Sequence, residues 1–332
     1  MAQDSYVQES FERDTNYISD RITSDGANGT YPAQAGRYRL VVARACPWAH
    51  RTVVSRRLLG LEDALSMGIC GPVHDENSWT FDLDPGHRDP VLGIPRLKDA
   101  YEARPQGYKP GVTVPAVVEI ESGQVITNDF RQITEDFATQ WSGLHREGAP
   151  DLYPEAWRDE IDEVAGPIYQ DINNGVYRCG FAGTQKAYDA AYEQLFERLD
   201  AVSERLQTRR YLVGDHITEA DIRLWTTLVR FDAVYHGHFK CNRTKLSEMP
   251  VLWAYARDLF QTPGFGDTVD FAQIKAHYYV THRDVNPTGV VPRGPIPSLW
   301  QTEHHREQLG GTPFGDGTPP APPPEDERVP AL

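Results

Sequence analysis

The chain has little cysteine and no long apolar run. Four cysteines in 332 residues are too few and too scattered for a disulfide framework, which favours a reducing compartment. No uninterrupted apolar run approaches the roughly 20 residues that a membrane helix needs. The first residues, "MAQDSYVQESFERD", are acidic and polar and lack the basic and apolar regions of a signal peptide. These absences predict a cytoplasmic protein that does not span a membrane.

Positive charge is also in short supply. The chain has 33 Lys and Arg against 48 Asp and Glu, for a net charge of -15. Binding of phosphates draws on surplus basic residues, so neither nucleic acid nor an anionic membrane is expected as a partner. The length allows two ordinary domains, and the balance of apolar and charged residues is that of a globular protein. A small or neutral ligand is the better expectation.

The pattern changes character near residue 150. Before it, strands are predicted at 37–44 and 64–70, a helix at 47–59, and a hairpin over 114–127. We therefore predict a small α/β domain with a mixed sheet over residues 37–145, interrupted by a Pro- and Gly-rich insertion at 71–111. Residues 1–36 form an extension before this domain, and its acidic region is interpreted as solvated charge.

After residue 150 the signals are helical. Apolar residues at steps of four and three form one stripe along a predicted helix at 184–207. A second helix begins after Thr218, where Asp221 completes a capping pattern, and it is apolar on most sides. An all-helical domain is predicted over 151–285, followed by an extension, 286–310, that packs back on it. The last 22 residues, 311–332, contain seven prolines and are predicted to be disordered, with "EDER" as solvated charge.

Cys46 lies between the first strand and the first helix. The free N–H groups that begin a helix favour a thiolate, and Pro47 suits the first helical position. Arg44, His50 and Arg51 add positive charge nearby. Cys46 is thus a candidate nucleophile of low pKa. The alternative, a small buried hydrophobic residue that ends a strand, is equally compatible with the local sequence.

Two further features favour the nucleophile. In "VTVPAVVEI", Pro115 begins a strand, as does the cis-proline that faces the active cysteine in thioredoxin-like folds. Ala49 occupies the place of the second cysteine of a Cys-x-x-Cys motif. Since Cys46 has no neighbouring thiol to pair with, a mixed disulfide with a small external thiol is the natural intermediate.

The Cys-Pro motif, the Val-Pro strand and the Thr-x-x-Asp cap together resemble a glutathione transferase. Within that superfamily the sequence closely resembles the glutathionyl-hydroquinone reductases, the Xi class. The matching stretches, in order over most of residues 1–295, are "CPWAHR", "SWTFD", "NNGVYRCGFA", "RFDAVYHGHFKCN" and "HYYVTHRDVNPTGVVPRGP". The resemblance implies the glutathione-transferase fold, with a thioredoxin-like domain followed by a helical bundle, and a homodimer.

The resemblance also implies a reaction and a set of residues. The implied enzyme removes a small thiol from a thiol-hydroquinone conjugate through a mixed disulfide on Cys46. The residues implied around the bound thiol are Trp79, Val114, Pro115, Asn128 and Asp129. Those implied around the aromatic substrate are Tyr177, Tyr235 and Tyr278. Phenol hydroxyls can bond the oxygens of a hydroquinone and share its protons, although tyrosines are also ordinary helix-packing residues.

The chain departs from the family pattern on the thiol side. Phe130 stands where a serine is expected, and a phenyl ring donates no hydrogen bond. Gly111 stands where a basic residue is expected, with Lys109 two places before it. The cosubstrate therefore remains open between glutathione and another small thiol such as mycothiol. The use of 27 Arg against 6 Lys is common in GC-rich bacterial genomes, some of which use mycothiol.

Two alternatives stay open at this point, and one possible metal site is rejected. The chain could be a noncatalytic ligand-binding protein that keeps the transferase fold. It could also be a dehydroascorbate or general disulfide reductase that uses the same cysteine. Finally, His236, His238 and Cys241 are residue types that bind zinc, but their spacing fits no regular ligand pattern. No metal is predicted.

Overall fold

The N-terminal half is built on a four-stranded mixed sheet. The computed structural model describes residues 6–14, 17–26, 31–108 and 111–331. The strands are β1 (Tyr38–Ala43), β2 (Ser66–Cys70), β3 (Ala116–Glu119) and β4 (Val125–Thr127), in the order β2-β1-β3-β4. β1 pairs in parallel with β2 and antiparallel with β3, which pairs antiparallel with β4. The parallel pair requires a crossover, which helix α1 supplies. The predicted mixed sheet is confirmed.

Helix α1 (Pro47–Leu59) begins and ends where the sequence predicts. Pro47 occupies the first turn, where its missing N–H costs no hydrogen bond. Gly60 ends the helix in the left-handed conformation, at a φ of 69°. Every residue of α1 is buried, including three arginines, because the helix lies between the sheet and the helical domain. Two further helices, α2 (Leu97–Glu102) and α3 (Phe130–Thr139), complete this half.

The C-terminal half is helical. Its helices are α4 (Arg158–Pro167), α5 (Gly175–Gly180), α6 (Gln185–Leu206), α7 (Glu219–Leu228), α8 (Pro250–Gln261) and α9 (Phe271–Thr281). Every residue of α7 is buried, and the Asp221 carboxylate accepts a hydrogen bond from the Thr218 backbone N–H at 2.9 Å. Both the capping pattern and the central position of α7 are confirmed. Within the described ranges, no helix is long and apolar enough to cross a membrane.

The described part of the insertion, residues 71–108, is folded onto the sheet domain. It contains α2, and the N–H of Leu97 donates to the carbonyl of Trp79 at 3.0 Å. A buried ion pair between Arg39 of β1 and Asp89 of the insertion, at 2.8 Å, joins the two. The insertion thereby holds Trp79 in a fixed position.

The N-terminal extension covers an edge of the sheet. Ile18 donates its N–H to the Asn128 side chain at 2.7 Å, and its carbonyl accepts from the Asn128 N–H at 3.2 Å. Ser19 forms a bridge with Thr127 of β4. Strand edges otherwise present unpaired backbone groups, so this pairing is stabilising. The uncharged residues 17–19 therefore pair with the sheet, whereas the acidic side chains at positions 9, 12, 14 and 20 are exposed, in agreement with the interpretation as solvated charge.

The Pro-rich tail packs against α1, so the prediction of a disordered tail is wrong. Glu327 accepts two hydrogen bonds from the buried Arg56, at 2.7 and 2.8 Å, and it is itself buried. Arg57 donates to the carbonyl of Ala321 at 2.6 Å. A prediction from composition could not include these contacts, because they depend on arginines of α1 that are buried by the fold and bond to residues of the tail. The segment before it packs on the helical domain, with Trp300 at 4.7 Å from Trp253 between ring centroids.

Candidate active site

Cys46 lies at the N-cap of α1 and opens into a cavity. It is half-buried, and its carbonyl accepts from the N–H of His50 at 3.0 Å, as the first bond of the helix requires. The thiol donates to the carbonyl of Val114 at 3.4 Å. The bond from Val114 to Pro115 is cis. The predicted arrangement, a cis-proline facing the cysteine between a strand and a helix, is confirmed.

The electrostatics of Cys46 differ from the prediction. Burial raises the pKa of the Cys46 thiol, and this outweighs the lowering by the backbone N–H groups of Ala49 and Trp48 and by the charges of Arg230 and Arg13. Desolvation disfavours the charged form of any acid, and here it exceeds the helix-terminus effect. The prediction of a low pKa is therefore wrong for the free protein.

The cations near Cys46 are also different ones. His50 is buried, and burial lowers its pKa well below the usual value, so it is neutral. Arg51 is turned away, and donates to the side chain of Asn173 at 2.6 Å. Arg230 and Arg13, which lie far from Cys46 in the sequence, provide the positive charge. Local sequence could not identify them, because both reach the site only through the fold.

The cavity has a volume of about 520 Å³ and is shared by three parts of the chain. The N-terminal extension, the sheet domain with its insertion, and the helical domain each contribute lining residues. The residues of the cavity that matter below are Cys46, Arg13, Trp48, Trp79, Val114, Asn128, Phe130, Tyr177, His277 and His282. A second cavity, of about 500 Å³, lies between α8 and the tail, and its described lining residues include no cysteine.

The three candidate tyrosines meet at their hydroxyls. The oxygen of Tyr278 is 2.6 Å from that of Tyr177 and 3.0 Å from that of Tyr235. Burial raises the pKa of all three phenols. Tyr177 lines the cavity with Cys46, whereas Tyr235 and Tyr278 are fully buried behind it. The expectation that all three surround the aromatic substrate directly is thus corrected: one faces the cavity and two support it.

The candidate thiol-side residues divide in the same way. Trp79 lines the cavity and stacks on His277, with ring centroids 5.0 Å apart. Val114 and Asn128 also line it, but the described lining residues do not include Pro115 or Asp129. Asp129 instead caps α3, where its carboxylate accepts from the N–H of Arg131 at 3.2 Å.

The hydrogen-bonding groups of the Asn128 side chain are already used by other residues of the protein. Its amide group donates to the hydroxyls of Thr113 at 3.0 Å and Tyr108 at 3.2 Å, and its oxygen accepts from Ile18. Phe130 packs on Trp48 with ring centroids 4.7 Å apart. An apolar ring therefore closes this end of the cavity where a hydroxyl was expected. Lys109, the alternative basic residue, lies outside the described residues.

Arg13 is a site residue that sequence reasoning missed. Its guanidinium lies over the rings of Trp48 and Tyr177, 4.3 and 4.8 Å from their centroids. Nε donates to the side chain of Asn174 at 2.7 Å, whereas Nη2 is buried without a hydrogen-bond partner in the described part of the chain. The available signal was a set of aromatic residues, at positions 6, 11 and 17, in an otherwise polar segment.

Histidines form the far wall of the cavity. Burial lowers the pKa of His277 to about 3 and that of His238 to about 4, so both are neutral. His238 and His282 share a hydrogen bond of 3.2 Å between Nε2 and Nδ1. Cys241 is buried. In the part of the chain that the structure describes, no three His, Cys, Asp or Glu side chains are grouped so that they could hold a metal ion.

The comparisons with known proteins agree with this architecture. The family model "Glutathione S-transferase, C-terminal domain" matches residues 185–258. The chain is 41% identical over 298 residues to the glutathionyl-hydroquinone reductase YqjG of Escherichia coli, covering 88% of this chain and 89% of YqjG. The glutathione-bound structure of YqjG superposes with a TM-score of 0.82 at 39% identity, over 91% of this chain and 99% of that one.

Two further solved structures are similar over almost their whole length. A glutathione transferase from Gordonia bronchialis is 71% identical, with a TM-score of 0.94, over 95% of this chain and 98% of that chain. A Xi-class glutathione transferase from Natrialba magadii is 41% identical, with a TM-score of 0.85, over 91% of this chain and 94% of that chain.

Proposed function

Because the chain belongs to the Xi-class glutathione transferases, the family of the glutathionyl-hydroquinone reductases, we propose that it removes a small thiol from thiol-hydroquinone conjugates. The observation that carries the proposal is one cavity that contains Cys46, Trp79 and Tyr177. A nucleophilic sulfur, an indole and a phenol are what a thiol-linked aromatic substrate requires.

The first step is a displacement at sulfur. The Cys46 thiolate attacks the sulfur of the conjugate, so a disulfide bond forms and the bond from that sulfur to the ring carbon breaks. The electron pair of the broken bond goes to the ring carbon, which takes up a proton. Hydroquinone leaves, and the small thiol remains on Cys46 as a mixed disulfide.

The second step regenerates the enzyme. The thiolate of a second small thiol attacks the mixed disulfide at the sulfur that came from the conjugate, and not at the sulfur of Cys46. The product is the oxidised dimer of that thiol, and Cys46 leaves as a thiolate. Ala49 occupies the fourth position of the Cys-x-x-Cys pattern, where a second cysteine would stand. Because no second thiol is available there, an external thiol is expected to resolve the mixed disulfide.

The three tyrosines are proposed to orient the ring and to assist its protonation. Tyr177 lines the cavity, and its hydroxyl is hydrogen-bonded to that of Tyr278, which is hydrogen-bonded to that of Tyr235. A chain of hydroxyls passes a proton by small rotations and keeps the phenol that donates it hydrogen-bonded. Burial raises the pKa of these phenols, which keeps them protonated as donors at neutral pH.

The cosubstrate is proposed to be glutathione, with mycothiol as the second candidate. Names of the relatives and a glutathione-bound neighbour favour glutathione. Phe130 and the self-satisfied Asn128 favour a different thiol, since neither offers a free polar group to a glutamyl end. Steady-state turnover with each thiol in parallel decides between them. Strong activity with glutathione and none with mycothiol would remove the second candidate.

The raised pKa of Cys46 is the observation that favours a binding protein without activity. It lowers the thiolate fraction tenfold for each unit above the ambient pH, but a more basic thiolate is also the better nucleophile. Since the second effect partly compensates the first, we expect a reactive site whose rate of attack rises with pH. No observation favours a dehydroascorbate or general disulfide reductase over the hydroquinone reaction, and profiling of the three substrate classes tests that directly.

Reduction of a purified thiol-hydroquinone conjugate, followed by separation of products, tests the function. The proposal predicts one hydroquinone and one oxidised thiol dimer for each conjugate and free thiol consumed. Hydroquinone release without the dimer would contradict it. A homodimer and a cytoplasmic location are further parts of the proposal, and light scattering after size exclusion checks the first.

A further inference from the structure

Arg230 is a buried cation with only neutral hydrogen-bond partners. It is fully buried, and Nε donates to the carbonyl of Ala45 at 2.9 Å, while Nη2 donates to that of Arg44 at 2.9 Å. Nη1 donates to the carbonyl of Thr226 at 2.7 Å and to Nδ1 of His50 at 3.0 Å. In the described part of the chain no carboxylate lies within ion-pair distance of it.

Most of the buried arginines in the described residues have a carboxylate partner, but Arg51 and Arg306, like Arg230, do not. Arg39, Arg56 and Arg223 each have a carboxylate partner within 3 Å. Hydrogen bonds to carbonyls offset part of the cost of burying a cation without such a partner, and its uncompensated positive charge stabilises any anion that develops nearby. Two of the acceptors of Arg230 are the carbonyls directly before Cys46. The anion that the proposed reaction generates beside them is the Cys46 thiolate.

Arg230 also lies directly before the helical turn that carries one of the three buried tyrosines. Its own carbonyl accepts from the N–H of Val234 at 2.9 Å, in the helical turn Phe231–Tyr235 that carries Tyr235. One side chain thus connects the turn that carries a buried phenol to the loop that carries the nucleophile. The guanidinium group of an arginine is rigid and planar and has five N–H donors, so it can bond two segments at once. The ammonium group of a lysine is a single point charge on a flexible stem.

We propose that Arg230 is a positioning residue of the reaction, which fixes the loop before Cys46 and supplies the buried positive charge that stabilises its thiolate. The proposal rests on the proposed function in taking Cys46 as the reacting group. Other charged or titratable groups facing Cys46 are Arg13 of the N-terminal extension and Tyr177 of α5. His50, the partner of Arg230, donates from Nε2 to the hydroxyl of Thr268 at 2.6 Å and is neutral.

The test measures the rate of Cys46 alkylation by iodoacetamide against pH in the full-length protein. Cys70, Cys179 and Cys241 are buried, and a Cys46→Ser background corrects for any reaction there. We expect Arg230→Met to raise the apparent pKa of Cys46 by about one unit, a tenfold loss of alkylation rate at neutral pH. Arg230→Lys, which keeps the charge, should recover part of that loss, and Arg230→Gln, which keeps a donor without charge, should not.

Arg306 provides the matched control. It is also buried, and donates to the carbonyls of Leu206 and Arg210 at 3.1 and 2.9 Å, but it lies in the C-terminal extension away from Cys46. Arg306→Met should lower stability and leave the apparent pKa of Cys46 unchanged. An unchanged pKa in folded Arg230→Met, or equal behaviour of the Lys and Gln variants if Arg230→Met does not fold, overturns the proposal. Alkylation needs neither quinone nor thiol cosubstrate, so the result is independent of the proposed reaction.

Discussion

The two sides of the cleft are built in different ways. The tyrosine side comes from the helical domain, and the hydroxyl of Tyr278 is hydrogen-bonded to those of Tyr177 and Tyr235. The thiol side is assembled from the N-terminal extension, the insertion and the loop before Pro115, with an apolar ring, Phe130, at its end. The first is a preformed network inside one domain, and the second is a surface completed by segments outside the regular elements.

The difference explains where the chain keeps the family pattern and where it departs from it. A change in one hydroxyl of the tyrosine network would leave its partners unsatisfied in a buried place, which is costly. On the thiol side the polar groups of Asn128 are satisfied by the N-terminal extension and by Thr113, and the ring of Phe130 has no hydrogen-bond partner to lose. We infer that the chemistry is held by the first side and the choice of thiol is set by the second.

The largest effect is expected at the sulfur that the two sides share. Cys46→Ser should reduce hydroquinone release by at least about 1,000-fold, since a neutral hydroxyl cannot replace a thiolate in attack on sulfur. Turnover of the conjugate measures it. Cys70→Ser is the control, because that thiol is buried in β2 away from the cavity. Full activity of Cys46→Ser would reject the assignment.

A change in the tyrosine network should act on the chemical step. Tyr278→Phe removes the hydroxyl between the other two, and kcat should fall about a hundredfold while KM for the thiol changes little. Tyr188→Phe is matched to it, since that hydroxyl donates to the carbonyl of Lys240 at 2.7 Å outside the cavity. If Tyr278→Phe instead raised KM for the thiol, the division between the two sides would be wrong.

A change on the thiol side should act on binding. Arg13→Met keeps the stem between Trp48 and Tyr177 but removes the guanidinium, whose Nη2 has no partner in the described residues. KM for the thiol should rise about tenfold, the loss expected for one charge-assisted hydrogen bond. Arg131→Met, whose guanidinium lies over Tyr169, should leave KM unchanged. A fall in kcat alone would place Arg13 with the chemistry.

The smallest effect on activity is expected from the tail. Glu327→Gln breaks the buried pair with Arg56 and should lower the free energy of unfolding by about 3 kcal/mol, because a buried guanidinium loses its counter-ion. Denaturant unfolding measures this, with the exposed Glu325→Gln as the control. The kcat of the folded variant should stay close to the original. A stability equal to that of Glu325→Gln would show that the contact is weak.

The features that the sequence predicts well are those with local causes. Pro47 and Gly60 define the ends of α1, and Thr218 with Asp221 begins α7, because each signal acts within one turn of helix. The proximity of Cys46 to the Val114-Pro115 bond is predicted by two short motifs, Cys-Pro after β1 and Val-Pro before β3.

The features that the sequence misses depend on distant partners. Burial raises the pKa of Cys46, and the cavity around it is lined partly by residues of the distant N-terminal extension. The tail is ordered because Arg56 of α1 needs a carboxylate, and nothing in a Pro-rich composition indicates that. Arg13 comes from the N-terminal extension and Arg230 from the helical domain, so no pattern around position 46 could reveal their influence on the sulfur.

The most direct test is intact-mass spectrometry after one turnover. The protein is mixed with a thiol-hydroquinone conjugate in the absence of free thiol, and its mass is measured before and after thiol is added. We predict a gain of one thiol on Cys46, reversed by the added thiol and absent from Cys46→Ser. Stoichiometric release of hydroquinone with no adduct on the protein would contradict a mixed disulfide on Cys46.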